Sequence, residues 1–341
     1  MKFEPGLLAT AIGTMPHTDP QQACSLVISR LGDIPAWPQL PKLSSLESMQ
    51  AQFTLKLPGA VMEGDRIYID LNQDIDEPLR KLLSDYEEKA IDSYAPGPNS
   101  AAGLHAFLAA DVGTPRAVKG QITGPISCGL SITDQERRPI IYHDIIADAL
   151  AKHLRLQAAW QEAKLKALCP RTIIFVDEPY LSTLGSPFVS LSREQVTGFI
   201  EEVLGGIEGI KGIHCCGNTD WSLLLETSID VLSFDAYEYA QPLSLYPQEI
   251  KAFLDRGGII AWGIVPNNEQ NLARETPASL KDRLEETMAL PSRKGIPFPQ
   301  LVSQGMVTPS CGLASLSPEA AVRALEVTAE LSQKMRQRYG S

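Results

Sequence analysis

Short apolar segments rich in β-branched residues alternate with amphipathic helical segments along most of this 341-residue chain. Helix signals separate these segments; Ser192, for example, stands three residues before Gln195 in the spacing of a capping box. Strand–helix alternation repeated eight times predicts an α/β fold of the (β/α)8 TIM-barrel type. The predicted strands are Leu8–Thr14, Ile34–Leu40, Ala117–Ile122, Thr172–Val176, Gly212–Cys216, Val231–Phe234, Gly258–Val265 and Leu301–Val307.

The segment 41–110 fits this alternation least well. It contains Gly64-Asp65 between two strand-like runs, Gly59–Met62 and Arg66–Leu71, which indicates a β-hairpin. We expect one catalytic domain over residues 1–341, in which 41–110 is an insertion that covers the mouth of the barrel.

The composition narrows the classes of partner. The net charge is −11, and the sequence has no dense block of lysine or arginine, so a nucleic-acid partner is not expected. No apolar run is long enough to span a bilayer. The six cysteines are scattered rather than arranged as a disulfide framework, which is typical of a cytoplasmic protein.

One predicted strand ends in two residues that bind metals. His214 and Cys216 are two positions apart, so on a strand they project from the same face, and Cys215 between them projects from the other. An imidazole and a thiolate side by side are half of a tetrahedral zinc site, and the ends of later strands offer Glu238 and Cys311. The alternative is that these residues are simply buried cysteines and a core histidine.

Zinc held by His214, Cys216, Glu238 and Cys311 would carry a net charge of about −1, since two thiolates and one carboxylate outweigh the charge of the ion. A carboxylate ligand is exchangeable, so a thiol substrate could replace it and ionise on coordination. Such a site suits alkyl transfer to sulfur better than activation of water.

Other polar residues stand at the ends of predicted strands. Asp177 either caps a helix or holds the ammonium group of a substrate. His17 is either a general acid or an ordinary loop residue.

Several of these residues together resemble the catalytic C-terminal barrel of cobalamin-independent methionine synthase, in the superfamily that includes uroporphyrinogen decarboxylase. The motifs follow the family's order and span nearly the whole chain. The resemblance implies zinc on the four ligands above, homocysteine as the thiol, Asp177 on its amino group, and the turn Ile12-Gly13-Thr14 on its carboxylate. The matching motifs are Ile12-Gly-Thr-Met-Pro16, Gly124-Pro125, Val176-Asp-Glu-Pro179, His214-x-Cys216, Glu238 and Pro309-Ser-Cys-Gly-Leu313.

A second resemblance leaves the methyl donor and the acceptor open. Cys216-Gly-Asn-Thr219 is similar to the zinc-dependent methylcorrinoid:coenzyme M methyltransferases. The donor is therefore expected to be methyltetrahydrofolate or a methylcorrinoid, with a corrinoid protein as a candidate partner. The remaining alternatives are a metal-free decarboxylase of the same superfamily and a zinc-binding protein without catalytic activity.

Overall fold

The computed structural model of the protein describes residues 3–340. The strands are β1 Leu8–Ala9, β2 Ala60–Glu63, β3 Arg66–Ile69, β4 Val118–Thr123, β5 Thr133–Asp134, β6 Thr172–Asp177, β7 Ile210–Cys215, β8 Val231–Asp235, β9 Ile259–Val265 and β10 Gly305–Pro309. The helices are α1 Pro20–Arg30, α2 Ala51–Thr54, α3 Asp76–Glu88, α4 Ala102–Ala109, α5 Pro125–Ser131, α6 Asp144–Leu165, α7 Arg193–Leu204, α8 Trp221–Leu225, α9 Ala236–Leu243, α10 Pro247–Asp255, α11 Glu269–Leu272, α12 Pro277–Ser292, α13 Phe298–Ser303 and α14 Pro318–Tyr339.

Seven of these strands form one curled parallel sheet in the order β1-β10-β9-β8-β7-β6-β4. The predicted strand Ile34–Leu40 is not a regular strand. It is joined to its neighbours only by isolated bridges, Ala36 with Lys119 and Thr14 with Gln39. Pro35 and Pro38 explain this, because proline has no backbone N–H to donate to a ladder. The sequence prediction of eight regular strands was therefore wrong at this segment.

The other predicted strands occur, five of them within two residues of the predicted bounds and two with larger changes. Residues Leu301–Ser303 belong to α13, and the last strand begins at Gly305. The first strand is only two residues long, although Thr10 continues its pairing by donating to the carbonyl of Val307 (3.0 Å). The capping box at the start of α7 is confirmed, with both reciprocal hydrogen bonds present.

The segment 41–110 contains the expected hairpin. Strands β2 and β3 pair antiparallel around Gly64, whose positive φ of 60° suits a tight turn, and β3 also pairs with β5. The same segment reaches the carboxyl end of the main sheet, where Thr123 Oγ1 donates to the carbonyl of Met49 (2.6 Å).

The core has two parts, one on each face of the main sheet. A large cluster lies between the sheet and the helices, and a smaller one, including Phe175, Ala261 and Met306, fills the inner face. Strand β4 shows the two faces. Gly120 faces the helices, because a Cβ there would collide with α6. Its two neighbours in the strand, Lys119 and Gln121, therefore face inward. Polar side chains therefore line part of the interior.

Candidate metal and acceptor site

Three of the four metal ligands that the sequence predicts come together near the end of β7. The ligand atoms of His214, Cys216 and Cys311 all lie within 4.8 Å of one another. Around one zinc ion, with Zn–S bonds of about 2.3 Å, two ligand sulfurs would stand about 3.8 Å apart. Cys215 points elsewhere: its thiol is buried and donates to the carbonyl of Gly217 (3.4 Å), and burial raises its pKa to about 12.

The imidazole of His214 is oriented for a metal. Its Nδ1 lies 2.9 Å from Ser233 Oγ, because the two residues are paired in the register of β7 and β8. Its Nε2 is buried and has no hydrogen-bond partner among residues 3–340. A histidine ligand typically presents one nitrogen to the metal while a hydrogen bond to the other fixes the ring. The donor set and this orphaned nitrogen therefore fit zinc.

The two sulfurs are electrostatically unlike each other. The pKa of Cys216 is lowered to about 4, mainly by a hydrogen bond from the Cys311 thiol. Burial has the opposite effect on this pKa, but a smaller one. The same hydrogen bond raises the pKa of Cys311 well above its usual range. The two shifts are opposite in direction because the hydrogen bond between the sulfurs favours ionisation of one thiol and disfavours that of the other.

The structure does not bring Glu238 into this group. Its side chain is exposed on α9, where it lines a surface groove with Arg283 and Glu286. The buried carboxyl of Asp235 lies at the end of β8 and is also outside the group within 4.8 Å. Burial raises its pKa to about 6, and the negative charges of Glu238 and then Cys216 add to that shift. Asp235 is the last residue of β8, at a strand end like the predicted ligands, but the sequence analysis did not choose it as a ligand.

Asp177 lies beside His214 at the end of β6. Its Oδ1 is buried without a hydrogen-bond partner in the described part of the chain. Burial raises its pKa to about 6, and the charge of Lys119 opposes that shift. A buried carboxylate oxygen without a hydrogen-bond partner is suited to receive a ligand's ammonium group.

Lys119 is the second polar residue that sequence reasoning missed. Its side chain is fully buried in the inner face, where burial lowers its pKa to about 8 and the charge of Asp177 raises it. The signal was available in β4: Lys119 and Gln121 are two positions apart, so they share one face of a strand whose other residues are largely apolar.

The turn Ile12-Gly13-Thr14 lies next to the loop that carries Cys311. The backbone N–H of Leu313 donates to the carbonyl of Thr14 (2.9 Å). Gly13 has a φ of 141°, and a Cβ there would stand 2.5 Å from the side chain of Gln121, so no other residue fits without displacement.

The two remaining residues of the sequence analysis have other surroundings. His17 is buried, which lowers its pKa, and the charge of Glu319 in the first turn of α14 raises it. His17 has no hydrogen bond to Asp177, Cys216 or Cys311, so its catalytic role stays a prediction.

Glu178 is structural in character: its carboxylate accepts from the backbone N–H groups of Ile126 (2.9 Å) and Ser127 (2.7 Å) at the start of α5.

Solved structures with a similar fold include proteins from three organisms. A B12-independent methionine synthase from Shewanella sp. W3-18-1, in complex with selenomethionine, has a TM-score of 0.61 and 15% identity over 97% of this chain and 98% of that chain. A putative vitamin-B12-independent methionine synthase from Listeria monocytogenes has a TM-score of 0.56 and 15% identity, covering 92% and 86%. A methyltransferase from Methanosarcina mazei has a TM-score of 0.58 and 14% identity, covering 98% and 94%.

At these identities the likeness establishes the fold. No family model matches the sequence, and no curated protein matches it. Within residues 3–340, no helix has the length and apolar character needed to cross a membrane.

Proposed function

We propose that this protein is a zinc-dependent methyltransferase that transfers a methyl group to the sulfur of a small thiol, with homocysteine as the leading acceptor. The observation that carries the proposal is the convergence of His214, Cys216 and Cys311 within 4.8 Å, next to the unpartnered carboxylate of Asp177. The fold shared with methionine synthases and a methyltransferase supports the same chemistry, as does the order of the sequence motifs. We also propose that the curled sheet and the segment Ile34–Leu40 act together as a (β/α)8 barrel.

His214, Cys216 and Cys311 would hold the zinc, and a carboxylate would be the exchangeable fourth ligand. When bound, zinc would lower the pKa of the acceptor thiol and so make its sulfur nucleophilic at neutral pH. Asp235 is the better candidate for the carboxylate, because it is buried at the end of β8 while Glu238 faces solvent.

The chain's own residues would orient an amino-acid thiol. Asp177 would accept hydrogen bonds from its ammonium group, and the backbone of the Ile12–Thr14 turn would hold its carboxylate. The acceptor thiol gives up its proton. Its sulfur then forms a bond to the methyl carbon as the donor's bond to that carbon breaks, and the donor keeps the electron pair. The donor is methyltetrahydrofolate or a methylcorrinoid, the latter delivered by a corrinoid protein.

Coenzyme M is the second candidate acceptor, favoured by the motif Cys216-Gly-Asn-Thr219. Zinc-loaded protein should be assayed with homocysteine and with coenzyme M, each against methylcobalamin and methyltetrahydrofolate. We expect methionine from homocysteine with one of the two donors. Thioether formed only from coenzyme M would transfer the proposal to that acceptor. Bound zinc without methyl transfer to either thiol would favour a non-catalytic zinc protein, and a metal-free protein would favour the decarboxylase.

The identity of the carboxylate ligand can be tested by a matched pair of variants. Asp235 Oδ1 accepts from the backbone N–H of Glu238 (3.0 Å) as the N-cap of α9. Asparagine is also a good N-cap, so Asp235→Asn removes the charge and keeps the helix start. We expect zinc affinity, measured by chelator competition, to fall at least about tenfold in Asp235→Asn and to be unchanged in Glu238→Gln. The reverse result would restore Glu238 as the ligand.

A further inference from the structure

The interior of the sheet contains a lysine that the proposed chemistry does not use. The side chain of Lys119 is 0% exposed. Its ammonium donates to the carbonyl of Ile12 (2.6 Å) and to Gln121 Oε1 (3.2 Å), and it lies 4.3 Å from the centre of the Phe175 ring. Burying an ammonium group is costly unless its hydrogen bonds are made and its charge is balanced, so this position has a specific requirement for lysine.

Lys119 and Gln121 together fix the Ile12–Thr14 turn from inside the sheet. Lys119 holds the carbonyl of Ile12, while Gln121 donates to the carbonyl of Trp37 (3.0 Å) and packs against Gly13. Since β1 ends at Ala9, the turn has no regular ladder. It is held by these side chains together with single backbone hydrogen bonds, from Gln39 N–H to the carbonyl of Gly13 (3.0 Å) and from Leu313 N–H to that of Thr14 (2.9 Å).

Lys119 and Asp177 interact through charge but not through a hydrogen bond. The negative charge of Asp177 raises the pKa of Lys119, while the ammonium donates its hydrogen bonds to two neutral oxygens. Oδ1 of Asp177 stays unpartnered among the described residues. Lys119 therefore acts on Asp177 through its charge and uses its hydrogen bonds on Ile12 and Gln121.

We propose that Lys119 is a positioning residue for the amino-acid end of the acceptor: it holds the Ile12–Thr14 turn in place and balances the charge of Asp177 while leaving that carboxylate free for the ligand's ammonium. This inference rests on the proposed function, in that the ligand is an amino-acid thiol. It predicts that replacing Lys119 lowers the binding affinity only for ligands that carry the amino and carboxylate groups.

The test is binding of two thiols to the zinc-loaded full chain by calorimetry. L-homocysteine carries both groups and 2-mercaptoethanol carries neither. In Lys119→Met we expect homocysteine affinity to fall at least about tenfold, with zinc content and 2-mercaptoethanol affinity unchanged. The control is Lys294→Met, because the ammonium of Lys294 also donates to a backbone carbonyl, that of Ser244 (2.6 Å), away from the site. It should bind both thiols like the wild type.

The outcomes separate the two proposals. Wild-type protein that does not prefer homocysteine over 2-mercaptoethanol would overturn the proposed acceptor. A wild-type preference that survives intact in Lys119→Met, or an equal loss of affinity for both thiols, would overturn the role of Lys119.

If Lys119→Met does not fold, urea unfolding of the Lys119→Met, Asp177→Asn double variant tests the role instead. Recovery of a folded chain supports charge balance between the two residues, and failure of the double variant to fold contradicts it.

Discussion

A Cys216→Ser, Cys311→Ser double variant is expected to lose its zinc altogether, from one ion per chain to none. Both sulfurs lie in the group within 4.8 Å that also contains His214 Nε2. Serine is nearly isosteric with cysteine, but its hydroxyl does not ionise at neutral pH and is a poor zinc ligand. Elemental analysis of metal-replete protein measures the result directly.

Cys215→Ala is the matched control for that experiment. Cys215 neighbours Cys216 in sequence, but its thiol is buried on the other face of β7 and bonds to the carbonyl of Gly217. This variant should keep its zinc and lose only packing energy, on the order of 1 kcal/mol in the free energy of unfolding. Wild-type zinc in the double variant would exclude the proposed site, and zinc loss in Cys215→Ala would contradict the arrangement of the strand end.

Asp177→Asn is expected to weaken the use of homocysteine by about one to two orders of magnitude. A carboxylate that faces an ammonium in a partly desolvated pocket contributes roughly 1.5–3 kcal/mol, and the amide cannot supply that charge. Coenzyme M has no amino group, so its binding should barely change. The measurement is the apparent affinity for each thiol in the methyl-transfer assay or by calorimetry.

Zinc content must be measured in the same preparation, because Asp177 is the strand neighbour of His214. With zinc unchanged, an equal loss for both thiols would make Asp177 a structural residue. A wild-type preference for coenzyme M would overturn the assignment of homocysteine as the acceptor.

The sequence predicted that His214, Cys216 and Cys311 cluster because strand geometry is regular. His214 and Cys216 share a strand face through the two-residue period, and the carboxyl ends of parallel strands meet at one edge of a sheet, where Cys311 also lies. The carboxylate ligand follows no such local rule, and Glu238 stays a prediction. It lies exposed in the first turn of α9, while Asp235 is the last residue of β8.

The prediction of eight regular strands failed for a related reason. Hydropathy in Ile34–Leu40 indicated a strand, and the segment does lie between the edges of the sheet, but Pro35 and Pro38 lack the donors that a ladder requires. The expected single domain over residues 1–341 and the cover formed by 41–110 stay predictions. The contact of Met49 with the carboxyl end of β4 supports the second of them.

By itself, the sequence determined the alternation of strands and helices, the shared face of His214 and Cys216, and the opposite orientation of Cys215, since each follows from the backbone geometry of neighbouring residues. Only the tertiary structure decided that the buried Lys119 ammonium reaches the carbonyl of Ile12 and that the charge of Asp177 acts on it. The physical reason is distance along the chain: Lys119 is 107 positions from Ile12 and 58 positions from Asp177. Their meeting depends on the curl and register of the whole sheet, and no local pattern encodes either.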